Sequence, residues 1–188
     1  IEGRGKFMST HDHLSVFISL ILRHKPETIG ITLDEFGYAN VEELLKGINN
    51  SGKLIDFHIL QEIVRTDKKM RYSFDETSTL IRANQGHSIP VKVPMKEVEP
   101  PEFLYHGTSK DSLNQITLQG IKKMDRLYVH LSEDAETALQ VGSRHGKAVV
   151  LRVLSQQMHK EGHKFFLTEN NIWQVDFVPC NYIIESDY

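Results

Sequence analysis

Residues Ser88–Glu102 read SIPVKVPMKEVEPPE and hold Pro90, Pro94, Pro100 and Pro101, four of the six prolines in the chain. Each proline fixes its own φ and biases the residue before it away from helix, so the stretch predicts an extended connector. Placed at 89–102, the connector separates a segment 8–88 from a segment 103–188, lobes of roughly 80–90 residues near the small end of the domain range. Two such lobes are expected to pack on each other with a cleft between them. No internal repeat or low-complexity run interrupts either one.

Outside the two segments, Ile1-Glu2-Gly3-Arg4 reads as a factor Xa cleavage sequence, so residues 1–7 are taken as an expression-tag remnant and Met8 as the natural start. Nothing after Met8 has the form of a signal peptide. The longest apolar run, Val16–Leu22 with one serine inside it, is far short of the roughly 18 residues of a membrane span. A single cysteine, Cys180, excludes an internal disulfide framework and a cysteine-built zinc site. A cytoplasmic monomer is the expectation. With 39% hydrophobic and 25% charged residues the chain is ordinary for a globular protein. Its net charge of −3 argues against a surface that coats nucleic acid broadly, which needs a large positive excess.

In the first segment Leu14, Phe17 and Ile21, with Val16 and Leu20, follow helical spacing, and Pro26 ends that helix near Lys25. Asn40 with Glu43 three residues on resembles a capping box for a helix Val41–Ile48, and Asp56 opens another through Val64. Arg71–Phe74 and Thr79–Ala83 read as strands around the polar turn Asp75–Ser78. Three helices and a hairpin suggest a winged-helix-like lobe.

The second segment alternates. Strands are expected at Phe103–Tyr105, Leu127–Leu131, Ala148–Leu154 and Ile172–Val178. Helices are expected at Ser109–Leu118, capped by Ser109, and at Glu133–Val141, where Glu133, Asp134 and Glu136 suit the N-terminal dipole. The class is α+β. No G-x-G-x-x-G follows a strand, so a Rossmann dinucleotide site is not supported.

Two motifs mislead. Gly47–Lys53 matches G-x-x-x-x-G-K, but Leu54 stands where a hydroxyl would hold Mg²⁺ and a helix precedes it; a helix end capped near Gly52 explains it better. His159 and His163 are four apart, yet Gly162 interrupts the helix and no further ligands accompany them, so a solvated surface pair is expected.

Other clusters carry more. Arg23-His24 closes the first helix, where cations interact with the C-terminal dipole. Lys68-Lys69-Met70-Arg71 and then Ile81-Arg82-Ala83-Asn84-Gln85-Gly86-His87-Ser88 crowd an arginine, two amides and a histidine beside the connector. Polar groups that dense are costly for folding alone and suit phosphate or ribose recognition, since the planar guanidinium fork binds two oxygens at once. In the second segment Leu104–Ser109 (LYHGTS) joins a strand end to a helix start, and Gly107 allows close backbone approach to a ligand. His130 is either a ligand-facing group or a satisfied core histidine; Ser132 is either a contact or an N-cap.

Taken together, the motifs resemble the NAD-dependent RNA (tRNA) 2′-phosphotransferase family. They are LRHKP at Leu22–Pro26, KMRYSF at Lys69–Phe74, IRANQGHS at Ile81–Ser88 and LYHGTS at Leu104–Ser109. In the same order follow MDRLYVHLS at Met124–Ser132, VGSRHGKAVVL at Val141–Leu151 and NNIWQVDFVP at Asn170–Pro179. The likeness spans essentially Leu14–Ile184. Met70, often basic in that family, and Tyr128, often His, depart from its pattern.

The resemblance implies an N-terminal winged-helix RNA lobe and a C-terminal lobe of ADP-ribosyltransferase fold. It assigns an Arg-His-Arg-Arg catalytic group to Arg23, His24, Arg71 and Arg126. It assigns NAD contacts to His106, Gly107, Thr108, His130, Ser132 and Ile172, the last standing where protein-modifying relatives keep a glutamate, with Glu169 nearby. Arg82, Asn84, Gln85 and His87 become substrate-binding candidates. In the implied reaction the RNA 2′-phosphate attacks C1″ of the NAD ribose and expels nicotinamide. The ribose O2″ then attacks the phosphate of the RNA-phospho-ADP-ribose intermediate, giving 2′-OH RNA and ADP-ribose 1″,2″-cyclic phosphate, with no metal.

Two alternatives remain open: an ADP-ribosyltransferase acting on protein or on a nucleic-acid terminal phosphate, and a winged-helix binding module with an inert second lobe. Apolar Ile172 weighs against a protein target, and the complete arginine group weighs against an inert lobe. From Arg65 to Lys92 six Lys or Arg stand against three Asp or Glu, so a local pocket gripping one phosphate and its nearest nucleotides is expected.

Overall fold

The computed structural model describes residues 10–185. The tag remnant at 1–7 and the start at Met8 lie outside the described residues. Contacts divide the chain into two units, the first ending at Val93 and the second beginning at Pro94, and each is described by itself. Both mix helix and strand, as an α+β class requires. No helix among the described residues is long and apolar enough to cross a membrane.

The first unit contains helices α1 (Thr10–Arg23), α2 (Val41–Asn50) and α3 (Phe57–Thr66), and strands β1 (Tyr38–Asn40), β2 (Tyr72–Phe74) and β3 (Leu80–Ala83). The three strands form one antiparallel sheet in the order β1-β3-β2. Leu14, Ile18, Ile21 and Leu22 of α1 enter the core with Leu44, Ile48, Leu60 and Ile81. Val16, expected on the apolar face, is instead 60% exposed, because the buried stripe runs through Ile18. Both expected caps form: Asn40 Oδ1 accepts from Glu43 N at 3.0 Å and Asp56 Oδ1 from Ile59 N at 2.8 Å. Gly47, part of the misleading phosphate-loop match, has a packing reason: a Cβ there would stand 2.9 Å from Ile29 O. Strand β1 carries no expectation from sequence; its pairing with β3 sets Tyr38 opposite Arg82.

The second unit holds β4 (Met95–Glu97), β5 (Leu104–Ser109), β6 (Ile121–Lys122), β7 (Val129–Leu131), β8 (Ala148–Val153), β9 (Phe166–Thr168), β10 (Trp173–Val175), β11 (Phe177–Val178) and β12 (Ile183–Glu185). Its helices are α4 (Leu113–Gln119), α5 (Ala135–Gly142) and α6 (Ser155–Lys160). The larger sheets run β4-β9-β10-β7 and β12-β8-β5. An antiparallel bridge between Tyr105 and Ser132 joins them, with both N–H···O bonds at 2.8 Å.

Several expectations change. The proline-rich stretch is not connector throughout, since Met95–Glu97 pairs with β9. Ser109 ends β5 and stands at the N-cap of a 3₁₀ turn, Lys110–Ser112, that leads into α4 at Leu113; its Oγ shares a hydrogen bond with Ser112 Oγ instead of accepting from a backbone amide. Asp134, with its Oδ1 2.7 Å from Thr137 N, is the cap of α5, and Glu133 instead accepts from Trp173 Nε1 at 2.9 Å. The strand expected over Ile172–Val178 breaks at Asp176: β10 pairs with β9 and β7, whereas β11 pairs with β6. His163 is half-buried rather than fully solvated; its ring packs edge-on against Tyr182 with centroids 5.6 Å apart.

Candidate functional site

In the first unit, α1 ends on Arg23 because Pro26 cannot continue it; the amides of His24 and Lys25 still reach Leu20 O at 3.0 and 2.9 Å. The chain returns to this helix end after β3. Ser88 N donates to Arg23 O at 3.0 Å, and Ser88 Oγ shares a 2.8 Å hydrogen bond with His24 Nδ1. The same loop begins by holding Arg71: Asn84 N donates to Arg71 O at 2.8 Å, and Asn84 Nδ2 to Met70 O at 2.7 Å. Residues 84–88 therefore gather Arg23, His24 and Arg71, which lie far apart in sequence.

Arg71 sits just before β2, on a turn that Asp67 builds. Asp67 Oδ2 accepts from Arg71 N at 2.7 Å, and Oδ1 accepts from Lys69 N at 3.2 Å and from Arg71 Nη1 at 2.5 Å. The carboxylate is almost wholly buried, whereas the Arg71 side chain is 30% exposed.

The four substrate-binding candidates differ in placement. Arg82, Asn84 and His87 are buried and Gln85 is half-buried. The Arg82 guanidinium lies over the Tyr38 ring, 5.0 Å from its centroid. His87 packs beside Gly37, where an added Cβ would lie 3.3 Å from Nε2. Burial makes Arg82, Asn84 and His87 the framework of the loop, leaving Gln85 the most accessible of the four. The local cationic excess is also smaller than the sequence count, because Arg65 pairs with Glu62 at 2.7 Å and Lys92 with Glu35 at 2.9 Å.

In the second unit, His106 on β5 and His130 on β7 are linked: His106 Nδ1 donates to His130 O at 3.1 Å. Burial pushes the His106 imidazole below the ordinary histidine range, against the opposing pull of that hydrogen bond. The ring is neutral near pH 7, and because a carbonyl only accepts, its proton is on Nδ1. Gln174, opposite His130 in β10, donates from Nε2 to His130 Nε2 at 3.1 Å. Ser132 is fixed by the Tyr105 bridge. Ile172, two residues before Gln174, is held through its backbone, N donating to Thr168 Oγ1 at 3.0 Å and O accepting from Thr168 N at 3.1 Å.

Gly107 and buried Thr108 follow His106 on β5. A Cβ on Gly107 would stand 1.7 Å from Ala138 O, so the glycine is required for α5 to lie against the strand. Arg126 is exposed and belongs to a turn in which its N donates to Lys123 O at 3.0 Å. Lys123 ties that turn to Asp176 at 2.8 Å.

Residues beyond the sequence candidates that touch these groups include Asp67, Ser88 and Gln174. A signal existed for Gln174, a lone polar residue inside the apolar run Ile172–Val175. Asp67 lay four residues before Arg71 without a periodic pattern to mark it.

The known proteins that this chain is similar to fall in one family. The family model described as RNA 2'-phosphotransferase, Tpt1 / KptA family, matches residues 9–176. A "Probable RNA 2'-phosphotransferase" from Fusobacterium nucleatum subsp. nucleatum is 54% identical over 171 residues, 90% of this chain and 96% of the relative. One from Flavobacterium johnsoniae is 48% identical over 170 residues, 90% and 93% of the two chains. One from Rhodopirellula baltica is 44% identical over 170 residues, 90% and 92% of the two chains.

Proposed function

The chain belongs to the RNA 2′-phosphotransferase, Tpt1 / KptA family, and from that premise we propose that it removes an internal 2′-phosphate from RNA by transferring it to NAD. The RNA is of the tRNA splice-junction type. The observation that carries this reading is the gathering of Arg23, His24 and Arg71 by the loop 84–88. Two guanidiniums and an imidazole, on two segments that one loop ties down, suit a phosphate with two negative charges.

In the proposed reaction a phosphate oxygen forms a bond to C1″ of the NAD ribose as the bond to nicotinamide breaks. In the second step O2″ bonds to phosphorus, the RNA 2′-oxygen leaves and takes a proton, and ADP-ribose 1″,2″-cyclic phosphate is released. A phosphate monoester with a second pKa of about 6 is mostly a dianion at neutral pH, so its attack needs no general base. That chemistry fits an apolar residue at Ile172. Arg23, His24 and Arg71 orient the phosphate, and Arg126 steadies charge as the phosphate changes partners.

Neutral His106, hydrogen-bonded to the His130 carbonyl, together with the His130 ring, Gln174 and Ser132, offers groups of the kind that bind ribose hydroxyls, which supports NAD as co-substrate. Under this reading the first unit is the RNA-binding, winged-helix-like lobe and the second the ADP-ribosyltransferase-like lobe. The setting is a cytoplasmic monomer.

Offering NAD with three acceptors separately tests the assignment against its rival: RNA with an internal 2′-phosphate, RNA with a terminal phosphate, and protein. The internal 2′-phosphate alone is expected to yield the cyclic phosphate. Stable ADP-ribosylation of the terminal phosphate or of protein, with the internal phosphate untouched, would select the ADP-ribosyltransferase.

A further inference from the structure

The side chain of Asp67 is 6% exposed, and one oxygen is committed to the Arg71 guanidinium through Nη1 alone. Among the described residues Nε and Nη2 of Arg71 make no hydrogen bond. These two nitrogens form the side edge of the guanidinium, whose paired N–H groups match two oxygens of a phosphate. Arg65 uses that same edge on Glu62, with Nε at 3.0 Å and Nη2 at 2.7 Å, so bidentate binding by this pair of nitrogens is realised within this chain.

We infer that Asp67 is a positioning residue: it fixes the Arg71 guanidinium through Nη1 so that the Nε/Nη2 edge is presented to two oxygens of the RNA 2′-phosphate. The inference rests on the assignment of Arg71 to that phosphate. A long arginine side chain has rotamer freedom to lose on binding. Asp67 removes much of that freedom before the RNA arrives. It also holds the turn from which Arg71 departs, where Met70 adopts a left-handed φ of 44°. The three donors on its carboxylate come from Lys69 N, Arg71 N and Arg71 Nη1. One buried acid thus sets both the backbone and the side chain of Arg71.

The test is a binding measurement without NAD. Affinities are measured by fluorescence anisotropy for a short RNA with one internal 2′-phosphate and for its 2′-OH twin. The wild type, Asp67→Asn, Arg71→Ala and the double variant are compared. The wild type is expected to prefer the phosphorylated RNA at least tenfold. Asp67→Asn is expected to cut that preference at least fivefold and to change it less than twofold in the Arg71→Ala background. A merely structural role would weaken both RNAs equally and leave their ratio alone.

If the asparagine variant melts early, Asp67→Glu keeps a carboxylate for the turn but displaces it by one methylene, and the same fall in preference is expected. A wild-type preference in a folded Asp67 variant would overturn the inference. So would an equal loss with and without Arg71, or no preference in the wild type. NAD-dependent phosphate removal by the wild type is scored separately, so failure of the phosphotransfer reading is distinguishable from failure of this one.

Discussion

Ser88 Oγ lies 2.8 Å from His24 Nδ1, while the Ser88 amide donates to Arg23 O at 3.0 Å. One residue after the IRANQGH stretch thus holds both members of the Arg-His pair that closes α1. Ser88→Ala keeps the backbone bond and removes the side-chain one. A lost hydrogen bond of about 1 kcal/mol corresponds to a fall in turnover of roughly fivefold. Steady-state kinetics on 2′-phosphorylated RNA measures it; turnover within twofold of wild type would show that His24 needs no such support.

Arg126 is exposed on the turn preceding β7 and is assigned to charge stabilisation. Arg126→Ala is expected to lower turnover by roughly 10²–10³-fold, the usual cost of removing one preorganised charge-stabilising donor. Circular dichroism is expected to match the wild type. A correctly folded variant with the wild-type rate would refute the assignment.

Gly107 faces the backbone of α5, and a Cβ there would lie 1.7 Å from Ala138 O. Gly107→Ala must push the helix away from β5, at the upper end of the roughly 1–3 kcal/mol range for overpacking. Calorimetry is expected to show a Tm lower by on the order of 10 °C. A Tm within about 2 °C of wild type would contradict the packing account.

His106 is held below its ordinary pKa chiefly by burial. The unfolded chain therefore binds a proton near pH 6.5 that the folded ring takes up only at lower pH. The stability it contributes is present above about pH 6.5 and is lost as the pH falls toward the folded value. Thermal melts between pH 7 and 5 are expected to fall more steeply for the wild type than for His106→Gln. Equal slopes would mean that the folded and unfolded histidines titrate alike.

Local chemistry was the legible part of the fold. Asn40 and Asp56 cap their helices because a short side-chain oxygen placed before a helical stripe has few other uses. The hairpin around Asp75–Ser78 likewise announces itself through a polar turn between apolar strands. Features that depend on a distant partner stayed hidden. Three-residue β1 has too short a period to read, and it exists because β3 offers it an edge. The break at Asp176 stayed hidden because β10 and β11 read as one mostly apolar run and are told apart by which strands they pair with. At the site, Arg23, His24, Arg71 and the two histidines were legible as motif residues. Asp67 was not, since its role comes from a three-donor turn with no periodic trace.

The central claim is that phosphate leaves the RNA only by transfer to NAD. A short RNA with a single internal 2′-phosphate, incubated with the wild type in the presence and absence of NAD, tests it directly. The account predicts complete loss of the 2′-phosphate with NAD, one nicotinamide released per phosphate, and no loss without NAD. Phosphate removal without NAD, or full retention of the phosphate with NAD present, would contradict it.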